Sequence, residues 1–239
     1  MILLVKLLIA HLIGDFVLQP NSWIEDKEAK KGKSIKLYYH VLIHTVLTGL
    51  ILLDYTLLPI ALIIGGTHFV IDLCKLSMQN QSNKRMAFTA DQLAHLLIIL
   101  ILSNYYEPIL HTIQMDGAKN QLYLIVLAVL LLVPVSSKTI IILISKWSPK
   151  IGDGEEDSLK DAGQYIGILE RLFVFGFVIL GQIQAVGFLL AAKSVFRFGD
   201  LKDPTDRKLT EYILIGTLLS FGIAILIGYT YLYLDKNIK

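Results

Sequence analysis

The sequence predicts an all-α fold, a polytopic transmembrane helical bundle of about seven spans (six to eight). Two observations carry that expectation. Of the 239 residues, 54% are hydrophobic, and the mean hydropathy of +0.62 is rarely reached by a soluble globular chain. The apolar residues also fall in blocks close to the ~20 residues that cross a bilayer as a helix.

The blocks lie near Ile2–Leu18, Leu37–Leu53, Leu58–Leu76, Ala90–Leu102, Leu122–Ser145, Tyr165–Ala192 and Glu211–Tyr233. The first starts beside the initiator Met, as a signal peptide would. No small-x-small cleavage site follows it, whereas the polar stretch opening Gln19-Pro20-Asn21 does, so it is expected to be retained. The fourth block is short and the sixth long. Pro134 and the following Ser136-Ser137-Lys138 offer a point where the fifth could break into a re-entrant hairpin. Two parts are expected: a four-helix metal-binding membrane core over 1–105, and a carboxy-terminal membrane extension of about three helices over 106–239.

A net charge of +2 and the absence of a basic tail argue against a nucleic-acid partner. The single cysteine excludes an intramolecular disulfide and any cysteine-rich metal cluster. Cys74 points about 200° around the helix from Asp72, which makes it a packing residue rather than a ligand. Lysines crowd the segment after the first block (Lys27, Lys30, Lys31, Lys33, Lys36) and recur after the third (Lys75, Lys84, Arg85). By the positive-inside rule those segments are cytoplasmic and the amino terminus is outside. Strict alternation would then put Lys193, Arg197, Lys202, Arg207 and Lys208 outside. Either the fifth block turns back at Pro134, or Asp200, Asp203 and Asp206 counter this basic run and it does not report topology.

Ligand-type residues recur at i,i+4 inside the first four blocks: His11 with Asp15, His40 with His44, His68 with Asp72, and Asp91 with His95. That spacing puts both side chains of a pair on one helix face. An unpartnered Asp or His is costly in hydrocarbon, so eight of them require partners. The first and third pairs close their helices and the second and fourth open theirs. Up-and-down helices therefore carry all four pairs to a similar depth, within about two turns of one membrane face. Five of the six histidines belong to this set; His111 lies apart, in an expected loop.

A buried polar network or proton relay would also partner these groups. A metal centre accounts better for their common depth. Eight ligands exceed what one zinc takes, so two divalent ions are expected, with Asp15, Asp72 or Asp91 bridging. Mixed His and carboxylate ligands suit zinc, and also manganese or iron. Two adjacent ions clamp a phosphoryl or acyl oxygen and generate a hydroxide near neutral pH, which makes hydrolysis the natural chemistry. Asp15 and Asp91 are the expected catalytic carboxylates, one of them acting as general base if it is not a ligand. Thr45, Thr67 and Gln92 neighbour the ligands and could orient them.

The HLIGDFVLQ start, the HxxxH element, the THFxID element and the FxxDQxxH element resemble the bacterial membrane family catalogued as domain of unknown function 3307. The resemblance covers about the first hundred residues. GQYIGILER, AAKSVFRFGD and EYILIGTLLSFG are similar to the carboxy-terminal extension of longer members. More distantly the chain resembles the inner-membrane metal-dependent hydrolase family, which also carries His and Asp on membrane helices. These resemblances imply a metal site in a bacterial cytoplasmic (inner) membrane; the hydrolase activity they imply is an analogy.

Lys193 and Arg197 stand at i,i+4 and could bind a substrate phosphate or lipid headgroup; an interfacial cluster that snorkels is the alternative. Glu170 and Arg171 are expected to form ion pairs, and Gly176, Gly181, Gly187 and Gly216 to be close-packing positions. The expected function is a metal-dependent membrane hydrolase with membrane lipid as partner and an amphiphilic substrate such as a phospholipid or polyprenyl phosphate. The alternatives are a divalent-metal or proton-coupled transporter, and a metal-stapled structural or sensor protein.

Overall fold

A computed structural model describes residues 2–80, 82–106, 117–147, 158–195 and 204–236. Among them every regular element is helical, as the composition demands. Five helices are long and apolar enough to cross a membrane: Ile35–Leu52, Tyr55–Met78, Lys84–Tyr106, Asn120–Trp147 and Thr210–Lys236. A bent pair, Ile2–Val17 with Asn21–Lys33, raises the number to six if counted as one span. Six falls within the six to eight spans expected; the first and sixth blocks decide the number.

The described residues pack as two units that divide between Leu127 and Ala128. In the first unit α1 (Ile2–Leu12) runs into a π turn over Ile13–Val17, and the chain bends by 83° into the short polar α2 (Asn21–Lys30). Then come α3 (Ile35–Leu52), α4 (Leu58–Met78) and α5 (Lys84–Tyr106). Ser34 caps α3 by accepting from the Lys36 amide, 3.2 Å. Asp54 holds the following turn, accepting from the Thr56 amide and hydroxyl, and those bonds lower its carboxyl below the usual range.

Each long helix buries one i,i+4 stripe. In α3 it is His40, His44, Thr48 and Leu52; in α4 Ile64, His68, Asp72 and Leu76; in α5 Asp91, His95, Ile99 and Ser103. One end of the unit's interior is apolar, built from Leu3, Leu7, Leu52, Ile60, Ile64 and Ile99. The other end is polar. Outward faces are apolar, with Leu42, Leu50, Leu62, Val70, Leu93 and Leu97 all more than half exposed. A polar interior under an apolar surface is stable only where lipid is the solvent. Trp23 and Tyr39 both pack against the Lys36 ammonium beside the polar end, as aromatic and basic anchors do at an interface.

The second unit holds the rest of α6 (Gly117–Leu130), a π turn over Leu131–Val135, α7 (Ser136–Ile144), α8 (Ser158–Ile179), α9 (Ile183–Val195) and α10 (Pro204–Lys236). Pro134 sits inside the π turn, and the helix passes through it without turning back, so the fifth block is one span and not a re-entrant hairpin. Pro134 lacks an N–H and its ring crowds the preceding turn; the wider π turn accommodates both. The sixth block is two helices, broken at Gly181, whose φ of +71° a glycine adopts without strain.

Candidate metal centre

The eight ligand-type residues come together at the polar end of the first unit. Asp15, 9% exposed, is the most open of them; His44 is completely buried. Helices α1, α3, α4 and α5 each contribute one i,i+4 pair, so the spacing that marked them in the sequence also brings them together.

Asp15 is the hub. Its Oδ1 lies 3.0 Å from His44 Nε2, 3.2 Å from His40 Nε2 and 3.4 Å from His68 Nε2. Its Oδ2 accepts from Gln92 Nε2 at 2.8 Å and stands 3.8 Å from His11 Nε2. The π turn sets this position by shifting Asp15 out of regular α register. Gly14 makes room: a Cβ there would overlap the His44 ring. The rings of His44, His68 and His95 stack at centroid separations of 3.7 and 3.9 Å.

Asp72 and Asp91 divide their oxygens between two environments. Asp72 Oδ2 accepts from Lys27 Nζ and Asp91 Oδ2 from Lys75 Nζ, both at 2.8 Å. The Oδ1 atoms face inward, 3.8 and 3.6 Å from His95 Nε2. Lys27 projects from α2, which the bend after α1 folds toward the polar end. Glu28 fixes the same helix, accepting from Gln79 and Lys84.

Ligand atoms fall into three compact groups within 4.8 Å: His11, Asp15, His44 and His68; His40, His68 and Asp72; and Asp72, Asp91 and His95. Separations of 3.0 to 3.9 Å between imidazole nitrogens and carboxylate oxygens bracket the ~3.3 Å edge of a tetrahedron with zinc bonds of ~2.05 Å. Five buried polar atoms in this cluster lack a hydrogen-bond partner: His11 Nε2, His40 Nδ1, His44 Nδ1, Asp91 Oδ1 and His95 Nε2. An orphaned buried polar atom costs about 1–3 kcal/mol. Three of these, His11 Nε2, Asp91 Oδ1 and His95 Nε2, belong to the close-set nitrogens and oxygens that a divalent cation takes, so the residues fit a metal; the Nδ1 atoms of His40 and His44 are the far sides of rings whose Nε2 atoms face Asp15.

The model of a family described as "Protein of unknown function (DUF3307)" matches residues 3–124. The chain belongs to this family. No curated protein and no solved structure matches it significantly. The DUF3307 stretch contains α1 to α5 and all eight clustered residues, and it ends before the second unit begins.

Other expected site residues lie elsewhere or play other parts. In the second unit of this DUF3307 protein, Lys193 Nζ donates to Glu170 at 2.6 Å, so its charge is already countered. Arg197 and His111 lie outside the described residues. Arg171 makes no carboxylate pair among the described residues; it donates instead to Leu132 O, Ser137 Oγ and Ser220 Oγ. Of the three suggested orienting residues, Gln92 bonds Asp15. Thr45 and Thr67 bond back to carbonyls of their own helix. Cys74 is exposed rather than packed in the core. The close-packing glycines are Gly14, Gly65 and Gly228, whereas added Cβ atoms at Gly176, Gly181 and Gly187 would meet open space; Gly216 makes only ordinary contact with Ile144. The sequence marks Lys27 and Lys75 only as cytoplasmic-side lysines and gives Gly14 no role. Neither lysine has a local signal for its contact: Lys75 reaches Asp91 on the next helix, and Lys27 reaches Asp72 from α2.

Proposed function

We propose that this DUF3307 protein is a metal-dependent hydrolase of the bacterial cytoplasmic membrane, with two divalent ions at the cytoplasmic end of its first unit. The observation that carries the reading is the buried convergence of eight His and Asp side chains with five unpartnered polar atoms. His11, Asp15, His44 and His68 would hold one ion. Asp72, Asp91 and His95 would hold the other, with His40 between the two sets. A three-residue set leaves a coordination position for water or substrate, the arrangement of catalytic rather than structural zinc. When bound, the ions supply Lewis acidity and a hydroxide at neutral pH.

The chain's own groups do the rest. Gln92 fixes the Asp15 carboxylate, and Lys27 and Lys75 fix those of Asp72 and Asp91. If Asp72 and His95 hold the second ion without it, Asp91 Oδ1, which has no hydrogen-bond partner, is left to take a proton from an attacking water. A site beside the Trp23, Lys36 and Tyr39 anchors suits an amphiphile whose headgroup lies at the interface, such as a phospholipid or polyprenyl phosphate.

Phosphoester turnover by the metal-loaded protein should fall by about 10²-fold or more in Asp15→Asn and Asp91→Asn while the protein still folds. Unchanged turnover in both would sink the reading. A second reading, ion transport, draws on the π turn and 83° bend beside Asp15, because transport sites favour interrupted helices. Metal or proton flux into proteoliposomes, abolished by the same substitutions in a protein without hydrolytic turnover, would favour it.

A further inference from the structure

Lys27 is the one buried side chain of α2, and its ammonium sits against a carboxylate that already faces three histidines. Taking a lysine head out of water is expensive, and its ion pair with the equally buried Asp72 offsets that cost. Lys75 repeats the arrangement at Asp91 with its side chain 25% exposed. Both lysines take the outer oxygen of a carboxylate whose inner oxygen points at His95. They thus form a cationic rim around the donor set and leave the inward-facing atoms clear.

Charge then discriminates between substrates. Without ions, the carboxylates of Asp15, Asp72 and Asp91 outnumber the two ammonium groups by one. Two divalent ions turn that single negative charge into three positive ones, within a region of low dielectric where uncompensated charge is costly. A hydroxide offsets one. A neutral acyl ester or amide offsets none, whereas a phosphate brings between one and two negative charges near neutral pH. Each ammonium has three N–H groups and gives one to its aspartate, so each can also donate to a phosphate oxygen.

We infer that Lys27 and Lys75 are the anion-recognising residues of this centre and that its ligand presents a phosphate group, on a lipid headgroup or free. The inference rests on the two-ion reading and deepens it by naming the residues that select a phosphate over an uncharged ester. Lys193, paired with Glu170, is not assigned that role.

The test uses full-length protein in detergent, loaded with zinc or manganese and freed of unbound ion. Metal content is measured first, followed by calorimetric titration with inorganic phosphate and, separately, with short-chain phosphatidate micelles. Binding of inorganic phosphate identifies the free anion as sufficient; binding of phosphatidate alone identifies a lipid headgroup. Either result supports the inference if Lys27→Gln and Lys75→Gln each weaken binding, expressed per metal-loaded chain, by about tenfold or more. Lys27→Arg and Lys75→Arg should retain binding and control for folding. Lysines that merely neutralise the aspartates would leave phosphate affinity unchanged in the glutamine variants, and that result overturns the inference. So does a fully loaded protein that binds neither probe, which leaves the two-ion reading standing. A folded protein that takes up no metal removes both.

Discussion

Each unit of this protein interrupts a helix with a π turn beside buried polar groups, yet the two interruptions end differently. In the second unit the turn over Leu131–Val135 leaves the Leu132 carbonyl to Arg171, and Ser137 and Ser220 take two more of its N–H groups. No atom of that cluster is left orphaned among the described residues. In the first unit the turn over Ile13–Val17 delivers Asp15 into a cluster that keeps five polar atoms unpartnered. Buried polar groups satisfied by their own chain hold helices together. A cluster left short of partners costs stability, which supports the proposal that a metal completes it.

That contrast can be broken most severely at Gly14. Gly14→Ala forces a methyl group into the His44 ring and should destabilise the first unit by about 3 kcal/mol. Metal content should fall with it, as read by denaturant titration in detergent and elemental analysis. Next in size is Arg171→Met, which strips three acceptors of their donor at a cost of about 2 kcal/mol. Metal content should not change, and Arg171→Lys should not restore stability, because one ammonium cannot reproduce the guanidinium fork. Loss of metal in Arg171→Met would mean that the two clusters are not independent.

Smaller effects sharpen the packing side of the account. A methyl group at Gly65 meets Thr45 Oγ1, the end of a short side chain that can rotate, so Gly65→Ala should cost about 1 kcal/mol. In a Thr45→Ala background most of that cost should disappear. Gly176→Ala, with open space around it, should change stability by about 0.5 kcal/mol or less, in the stabilising direction. Equal, slightly stabilising changes at Gly14, Gly65 and Gly176 would show that helix propensity, and not close approach, decides what these positions tolerate.

Sequence periodicity made the first unit legible. His40 and His44, or Asp91 and His95, announce a shared face through i,i+4 spacing, and alternating helix direction brings such faces to one depth. What stayed hidden depended on three-dimensional approach. Lys27 lies on a polar helix that resembles an ordinary basic loop until the chain bends by 83°. Gly14 reads as a routine glycine until His44 is packed against it. In the second unit, the sequence leaves a chain reversal at Pro134 as one of two alternatives, because it does not reveal that a π turn will accommodate the missing N–H. Gly181 reads as a packing residue, whereas its positive φ ends α8.

The clustered His and Asp donors of the first unit are proposed to hold metal, and the ions can be counted. Protein purified from metal-replete cells without chelator should contain two divalent ions per chain. Asp15→Asn and Asp72→Asn should each lower that number while the helical content stays the same. A folded wild-type protein that carries no ion, and takes none from a zinc, manganese or iron solution, would contradict the account.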